Sequence, residues 1–228
     1  MGEFHSLAVA DGTTMRAYAA TPAVPPRRGV LVLQEAFGVN AHIRDVADRF
    51  AALGYRALAP ELYHRTAAPG FEGDYADFTG VMPHLRALTA NGQDNDLRAC
   101  HEWMRQQGIE AVVAAGFCMG GRVAMRAAGT IPLQAAASFY GSDLASLRTR
   151  IPQIAVPLLL VWGDRDQHIP PEKRAEFTEL LRQNQKNFVE TTFAEAGHGF
   201  FCDARPAYHA PSARLAWTLL TAFFDQSL

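Results

Sequence analysis

Short apolar runs alternate along this chain with segments whose apolar residues recur at helical spacing. That alternation predicts a mostly parallel β-sheet covered by helices on both faces. Phe4 to Val9 and Thr14 to Ala19 read as an opening hairpin turned by Asp11-Gly12. After the proline-rich break Pro22 to Pro26, Gly29-Val30-Leu31-Val32-Leu33 reads as a central strand, since a strand covered on both faces is apolar at consecutive positions. Ile43, Val46, Ala47, Phe50 and Leu53 then share one helical face, with Gly54 as the stop. Tyr55 to Ala59 reads as a short strand ended by Pro60.

Leu62 to Asn91 mixes glycine, proline, aromatic and charged residues, which predicts a loop and a helix above the sheet. Asp94 to Gln107 predicts a helix with acidic residues in its first turn and Gly108 at its end. The strand Ala111 to Ala115 leads through Gly116-Phe117-Cys118-Met119-Gly120-Gly121 into a small-residue helix reaching Ala128. Ala135 to Tyr140 and Val156 to Trp162 read as strands, Glu172 to Gln183 as a helix, Phe188 to Phe193 as a strand and Ala210 to Phe224 as the closing helix. No linker or internal repeat interrupts the pattern, so residues 1–228 are expected to form a single domain.

Composition narrows the picture. With 228 residues, 49% of them hydrophobic, the chain has the material for a substantial core. A formal charge of −2 with both signs interspersed leaves no basic stripe for phosphates, so nucleic acid is not an expected partner. Runs such as Val156 to Trp162 are too short to span a bilayer, so no membrane role is expected. The N-terminus lacks a secretory layout. Met1-Gly2-Glu3-Phe4-His5-Ser6 matches the bare myristoylation pattern, but the acidic residue after the glycine and the lack of a polybasic segment argue against lipidation. Cys100, Cys118 and Cys202 have neither metal-type nor framework spacing, which points to a reducing cytoplasm. With no metal-ligand spacing and no dinucleotide-type glycine turn, neither a metal nor a cofactor is expected.

The chemistry concentrates around Cys118. A residue on a sharp strand-to-helix turn is lifted above the sheet, and only small neighbours two places either side let strand and helix approach, hence Gly116 and Gly120. Such an elbow usually carries serine; here the same frame carries cysteine. The helix N-terminus favours negative charge and so favours the thiolate. A free cysteine is more commonly a small buried hydrophobe, and Cys100, on a helix face, keeps that reading.

An α/β-hydrolase orders its catalytic groups nucleophile, acid, histidine. Beyond the strand ending at Trp162 lies Gly163-Asp164-Arg165-Asp166-Gln167-His168-Ile169-Pro170, at a carboxyl end where such sites gather. Asp166 is chosen as the acid, while Asp164 is read as stabilising its turn through backbone contacts. His198, in Ala196-Gly197-His198-Gly199-Phe200, is the base, oriented by Asp166. The other seven histidines, including His42 and His64, are read as surface residues, with His168 the one to watch beside the acid.

These residues resemble the dienelactone hydrolase family over nearly the whole chain. The likeness rests on Gly-Phe-Cys118-Met-Gly-Gly, Gln34-Glu35-Ala36-Phe37-Gly38-Val39-Asn40, Ala59-Pro60-Glu61-Leu62-Tyr63 and the Ala196 to Phe200 segment. It implies an α/β-hydrolase fold and a Cys118–His198–Asp166 triad. It also implies a buried Glu35 that holds the thiol quiescent and then helps remove its proton, and an oxyanion hole at the N–H groups of Ala36 and Met119. Two such donors typically contribute a few kcal/mol each. Phe37, Tyr63, Arg65, Tyr75, Cys202 and Arg205 are candidate substrate contacts.

The family grips a substrate carboxylate with two arginines, one of them four residues after the histidine. That position is Cys202 here, with Arg205 three places later, and no arginine lies around Tyr75-Ala76-Asp77-Phe78. The machinery is expected intact and the preference for an anion weakened. The leading expectation is a hydrolase of small carboxylic esters or lactones working through an acyl-enzyme, as a monomer or small homo-oligomer. A weakly catalytic small-molecule binder on the same scaffold is the alternative. A redox protein pairing Cys118 with Cys202 is a third.

Overall fold

The apolar runs become the strands β1 (Glu3–Ala8), β2 (Thr14–Ala20), β3 (Arg28–Leu33), β4 (Arg56–Pro60), β5 (Ala111–Phe117), β6 (Ala135–Phe139), β7 (Leu158–Gly163) and β8 (Phe188–Phe193) of one sheet. Its order is β1-β2-β4-β3-β5-β6-β7-β8 in a computed structural model that describes residues 2–228. Met1, the first residue of the lipidation pattern, lies outside the described residues. β1 pairs antiparallel with β2 and β2 antiparallel with β4, and every other pairing is parallel. From β3 to β8 the strands therefore end on the same edge, with Leu33 beside Gly116, Phe117 beside Phe139 and Phe139 beside Val161. The mostly parallel sheet is the one the apolar pattern predicts, and the fold is the α/β-hydrolase fold that the family resemblance implies.

The helices are α1 (Ala41–Ala52), α2 (Phe78–Ala87), α3 (Ala90–Gln106), α4 (Met119–Ala127), α5 (Pro171–Gln183) and α6 (Ala210–Ser227). α1 turns Ile43, Val46, Ala47 and Phe50 of its predicted face into the core, while Leu53 falls past its last turn and is exposed, and the Asn40 side chain caps its start by accepting from the Ile43 N–H. Two short 3₁₀ turns, Leu144–Leu147 and Ile151–Gln153, follow β6 and have no counterpart in the sequence reading. Among the described residues no helix is long and apolar enough to cross a membrane.

One helix differs from its expectation in a telling way. α3 begins at Ala90, capped by Thr89, so Asp94 and Asp96 are not first-turn carboxylates facing the helix dipole. Both are buried partners of basic groups. Asp94 accepts from Arg126, Thr130 and Arg150, and Asp96 from Arg65 and His64. A buried carboxylate needs such donors to offset lost hydration. His64 therefore is not at the surface; it is shielded against Asp96.

Candidate active site

The turn after β5 is where the sequence pattern is most constrained. Cys118 sits at φ 54° and ψ −118°, a backbone conformation that costs a residue with a Cβ on the order of 1–3 kcal/mol. Its N–H donates to the Phe139 carbonyl, and its own carbonyl accepts from Gly121 and Ser142, so neighbouring elements hold the strained residue in place. A Cβ on Gly116 would lie 1.9 Å from the Gly120 carbonyl oxygen, and one on Gly120 would lie 2.2 Å from that of Leu33. Neither position tolerates a larger residue.

Loops from the carboxyl ends of β7 and β8 converge on this sulfur. His198 Nε2 lies 3.1 Å from Cys118 Sγ, and His198 Nδ1 lies 2.8 Å from Asp166 Oδ2. The second oxygen of Asp166 accepts the N–H groups of His168 and Ile169 at 2.8 and 3.2 Å, which fixes the carboxylate's orientation. Burial raises the Asp166 carboxyl, but hydrogen bonds from His198 and these two N–H groups outweigh it and leave it below its ordinary value. Burial pushes the His198 imidazole down, whereas charge on Cys118 and the bonds to Asp166 push harder the other way, to about 10. Cys118 keeps 9% of its surface exposed.

Asp164 lies in the turn closed by the Asp166 N–H on the Gly163 carbonyl, and its side chain accepts from Arg174 of α5 at 2.9 Å. His168 is exposed and packs edge-on against His198 with ring centres 4.9 Å apart. Tyr140, which the sequence reading passed over, packs its ring 5.1 Å from His198, and its φ of 39° marks a second strained position at a strand end. The only sequence signal for it was a Tyr-Gly pair directly after an apolar strand.

The segment after β3 forms the opposite wall. Glu35 has no exposed surface; its Oε1 accepts from Arg205 at 3.1 Å and its Oε2 is buried without a partner. The sulfur of Cys118 is turned to His198 rather than bonded to Glu35, so the carboxylate's partner here is the guanidinium. Arg205 reaches it because tight turns fold the chain back after the histidine loop: Cys202 N–H donates to Gly199, Arg205 to Cys202 and Tyr208 to Arg205. No arginine stands four places after His198; Arg205, seven places after it, is the one that folds back onto Glu35. Arg205 lies over the rings of Phe37 and Tyr75 at 5.6 and 6.0 Å.

The remaining candidates divide. Tyr75 accepts from Asn40 and from the Cys202 thiol, and Tyr63 donates to the Ala36 carbonyl. Phe37, packed with Ala36 and Val81, lines the same wall. The Cys202 thiol, raised to about 11 chiefly by burial and by the Glu35 charge, is fully covered. Arg65 is a correction. Its guanidinium is engaged by Asp96 and by Asp11 of the hairpin turn at the far side of the sheet, so it is not available to a substrate. His42 is another: it is buried on α1 against Phe117 and Phe201 and faces Asp203. Met119 begins α4 directly after Cys118, and among the described residues neither its N–H nor that of Ala36 donates a hydrogen bond. The three cysteines are free.

Comparison with known proteins identifies the family. The profile of the Dienelactone hydrolase family matches residues 15–228. An Escherichia coli K12 protein named "Putative carboxymethylenebutenolidase" is 35% identical over 95% of this chain and 84% of its own length. A Methylorubrum extorquens protein of the same name is 34% identical over 92% of this chain and 76% of its own. The crystal structure titled "Putative Dienelactone Hydrolase" from Klebsiella pneumoniae superposes with a TM-score of 0.88 at 30% identity, covering 99% of both chains. This chain belongs to the dienelactone hydrolase family and is a hydrolase of carboxylic esters or lactones.

Proposed function

We propose that the reaction runs through a covalent acyl-enzyme on Cys118, with His198 as the proton carrier and Asp166 as its orienting acid. One observation supports this above the rest: a strained, glycine-flanked Cys118 lies 3.1 Å from an imidazole whose other nitrogen meets a buried carboxylate at 2.8 Å. In that arrangement His198 Nε2 takes the proton of the Cys118 thiol while Nδ1–H donates to Asp166. The thiolate attacks the carbonyl carbon, and the N–H groups of Ala36 and Met119 receive the developing oxyanion. The Nε2 proton passes to the leaving oxygen as its bond to carbon breaks. Water then attacks the thioester, giving its proton to His198, and the acid departs as the thiolate returns.

Glu35 and Arg205 define the substrate's other end. A guanidinium with one carboxylate partner, lying against the packed rings of Phe37 and Tyr75, suits a substrate bearing its own carboxylate, which competes with Glu35 for Arg205. Tyr75 and Cys202 shape that wall, and Tyr63 steadies the Ala36 peptide through its carbonyl. A small ester or lactone with an anionic arm is the substrate class this favours. The free thiols suit a reducing compartment.

The test is direct. With phenyl acetate, intact-mass measurement of quenched enzyme should show one acetyl group on a peptide containing Cys118, and Cys118→Ala should lower turnover by about a thousandfold or more. An alanine variant with undiminished turnover, or an acyl group on another residue, would defeat the mechanism.

A further inference from the structure

Apart from the triad, one cluster brings nitrogen, sulfur and oxygen donors together. A ring nitrogen of His42, the Cys202 sulfur and a carboxylate oxygen of Asp203 lie within 4.8 Å of one another. We propose that these three residues bind a single zinc ion. His42 belongs to the first turn of α1, whereas Cys202 and Asp203 belong to the tight turns that carry Arg205 back to Glu35. The His42 ring is buried; its Nδ1 lies 3.5 Å from Asp203 Oδ1, and its Nε2 has no hydrogen-bond partner. A bare nitrogen in a buried imidazole costs stability, and a cation would satisfy such a donor set.

The donor set selects the ion. Imidazole, thiolate and carboxylate together suit zinc, which accepts three protein ligands and a water, whereas magnesium and calcium take oxygen alone. Tetrahedral zinc holds its ligand atoms roughly 3.5 Å apart, so closing this cluster takes a shift of about 1 Å. Asp203 is exposed and free to swing. An ion enters through a cavity of about 80 Å³ that His42 and Asp203 line. Around it Asp45 and Asp203 offset Arg49 and Arg214, and Arg49 is drawn over the Trp217 ring at 3.9 Å. The buried Glu35 charge acts on both His42 and Cys202 and adds to the pull on a cation. On binding, the Cys202 S–H bond breaks, the proton leaves to solvent and the sulfur lone pair bonds the ion. The ion's charge offsets the burial that otherwise keeps this thiol protonated. It ties α1 to the turns behind Arg205 without using Cys118, His198 or Asp166.

Cobalt(II), a coloured ion that accepts the same ligands, reads the site in the full chain. One equivalent should give the near-ultraviolet thiolate-to-cobalt charge-transfer band, and added zinc should abolish it by displacement. Cys118→Ser should keep the band, and Cys202→Ser should lose it. Cys202 is packed in the interior, so Asp203→Asn, a change at an exposed position, gives a second reading. Its zinc affinity should fall by about tenfold or more while its circular dichroism stays native. Zinc at a hundredfold excess over Kd should raise the native Tm by about 5 °C, and the rise should shrink in Asp203→Asn. Absence of a thiolate band, a band lost with Cys118→Ser, or unchanged zinc affinity in Asp203→Asn overturns the site. The hydrolase reading stands in each of those cases.

Discussion

Glu35 and Asp96 are both fully shielded from solvent, yet the fold treats them in opposite ways. Asp96 is saturated: one oxygen accepts from His64 at 3.1 Å and from Arg65 at 2.7 Å, and the other accepts from Arg65 at 2.9 Å. Glu35 has a single bond to Arg205, and its second oxygen is bare. Burying a carboxylate is costly, and each unmet oxygen adds to the cost. The saturated cluster ties α3 to the loop after β4 and to the β1–β2 turn. The unsaturated one belongs to the site proposed for the substrate, where an incoming ligand would have something to exchange. Equal burial therefore separates a structural carboxylate from a working one only when the hydrogen bonds are counted.

Removing each carboxylate should break the comparison apart. Asp96→Ala leaves His64 and half of Arg65's partners uncompensated, so unfolding free energy should fall by about 3 kcal/mol, measured by urea titration, with kcat per folded molecule retained. Glu35→Gln should do the reverse, lowering kcat/KM by about 30-fold while shifting stability by less than about 1 kcal/mol. If the two variants lose stability equally, the contrast is void.

Arg205→Lys sharpens the same contrast on a finer scale. A point charge cannot reproduce the planar guanidinium, so kcat/KM should drop about tenfold for a carboxylate-bearing ester and clearly less for its neutral counterpart. Equal losses on both would make Arg205 a scaffold residue only.

The smallest effect concerns protons. The folded pKa of His198, about 10, exceeds its ordinary 6.5, so the stability it contributes is complete below 6.5 and disappears as pH climbs through 10. Asp166 is shifted downward from 3.8, so its contribution is present above that value and is lost on acidification. Because sulfur charge is the largest influence raising His198, Cys118→Ser should return the imidazole toward 6.5. Histidine NMR titration reads this directly, and an unmoved resonance would show that Asp166 alone sustains the shift.

Much of this molecule is legible along the chain because neighbours in sequence carry the information. A buried parallel strand is apolar throughout, a helix repeats on one face, and a strained elbow demands glycine two residues either side of its centre. Cys118 and Asp166 each follow such a strand and His198 follows the half-exposed edge strand β8, so their shared edge was predictable once the sheet was parallel. Arg205 was not, because successive tight turns that no periodicity records bring it back over the site. His42 and His64 were equally opaque: polar residues go inside only when a distant partner accepts them, and Asp203 and Asp96 are far along the chain.

By itself, the sequence determined the layered architecture and the glycine-flanked turn at Cys118, since both follow from local steric and hydrophobic rules. Only the tertiary structure decided which buried charges are paired, that Arg65 belongs to the hairpin side while Arg205 belongs to Glu35, and that His42 meets Cys202 and Asp203. Those outcomes depend on hydrogen bonds and exclusion of water between segments remote in sequence, and such distances exist only after the chain has folded.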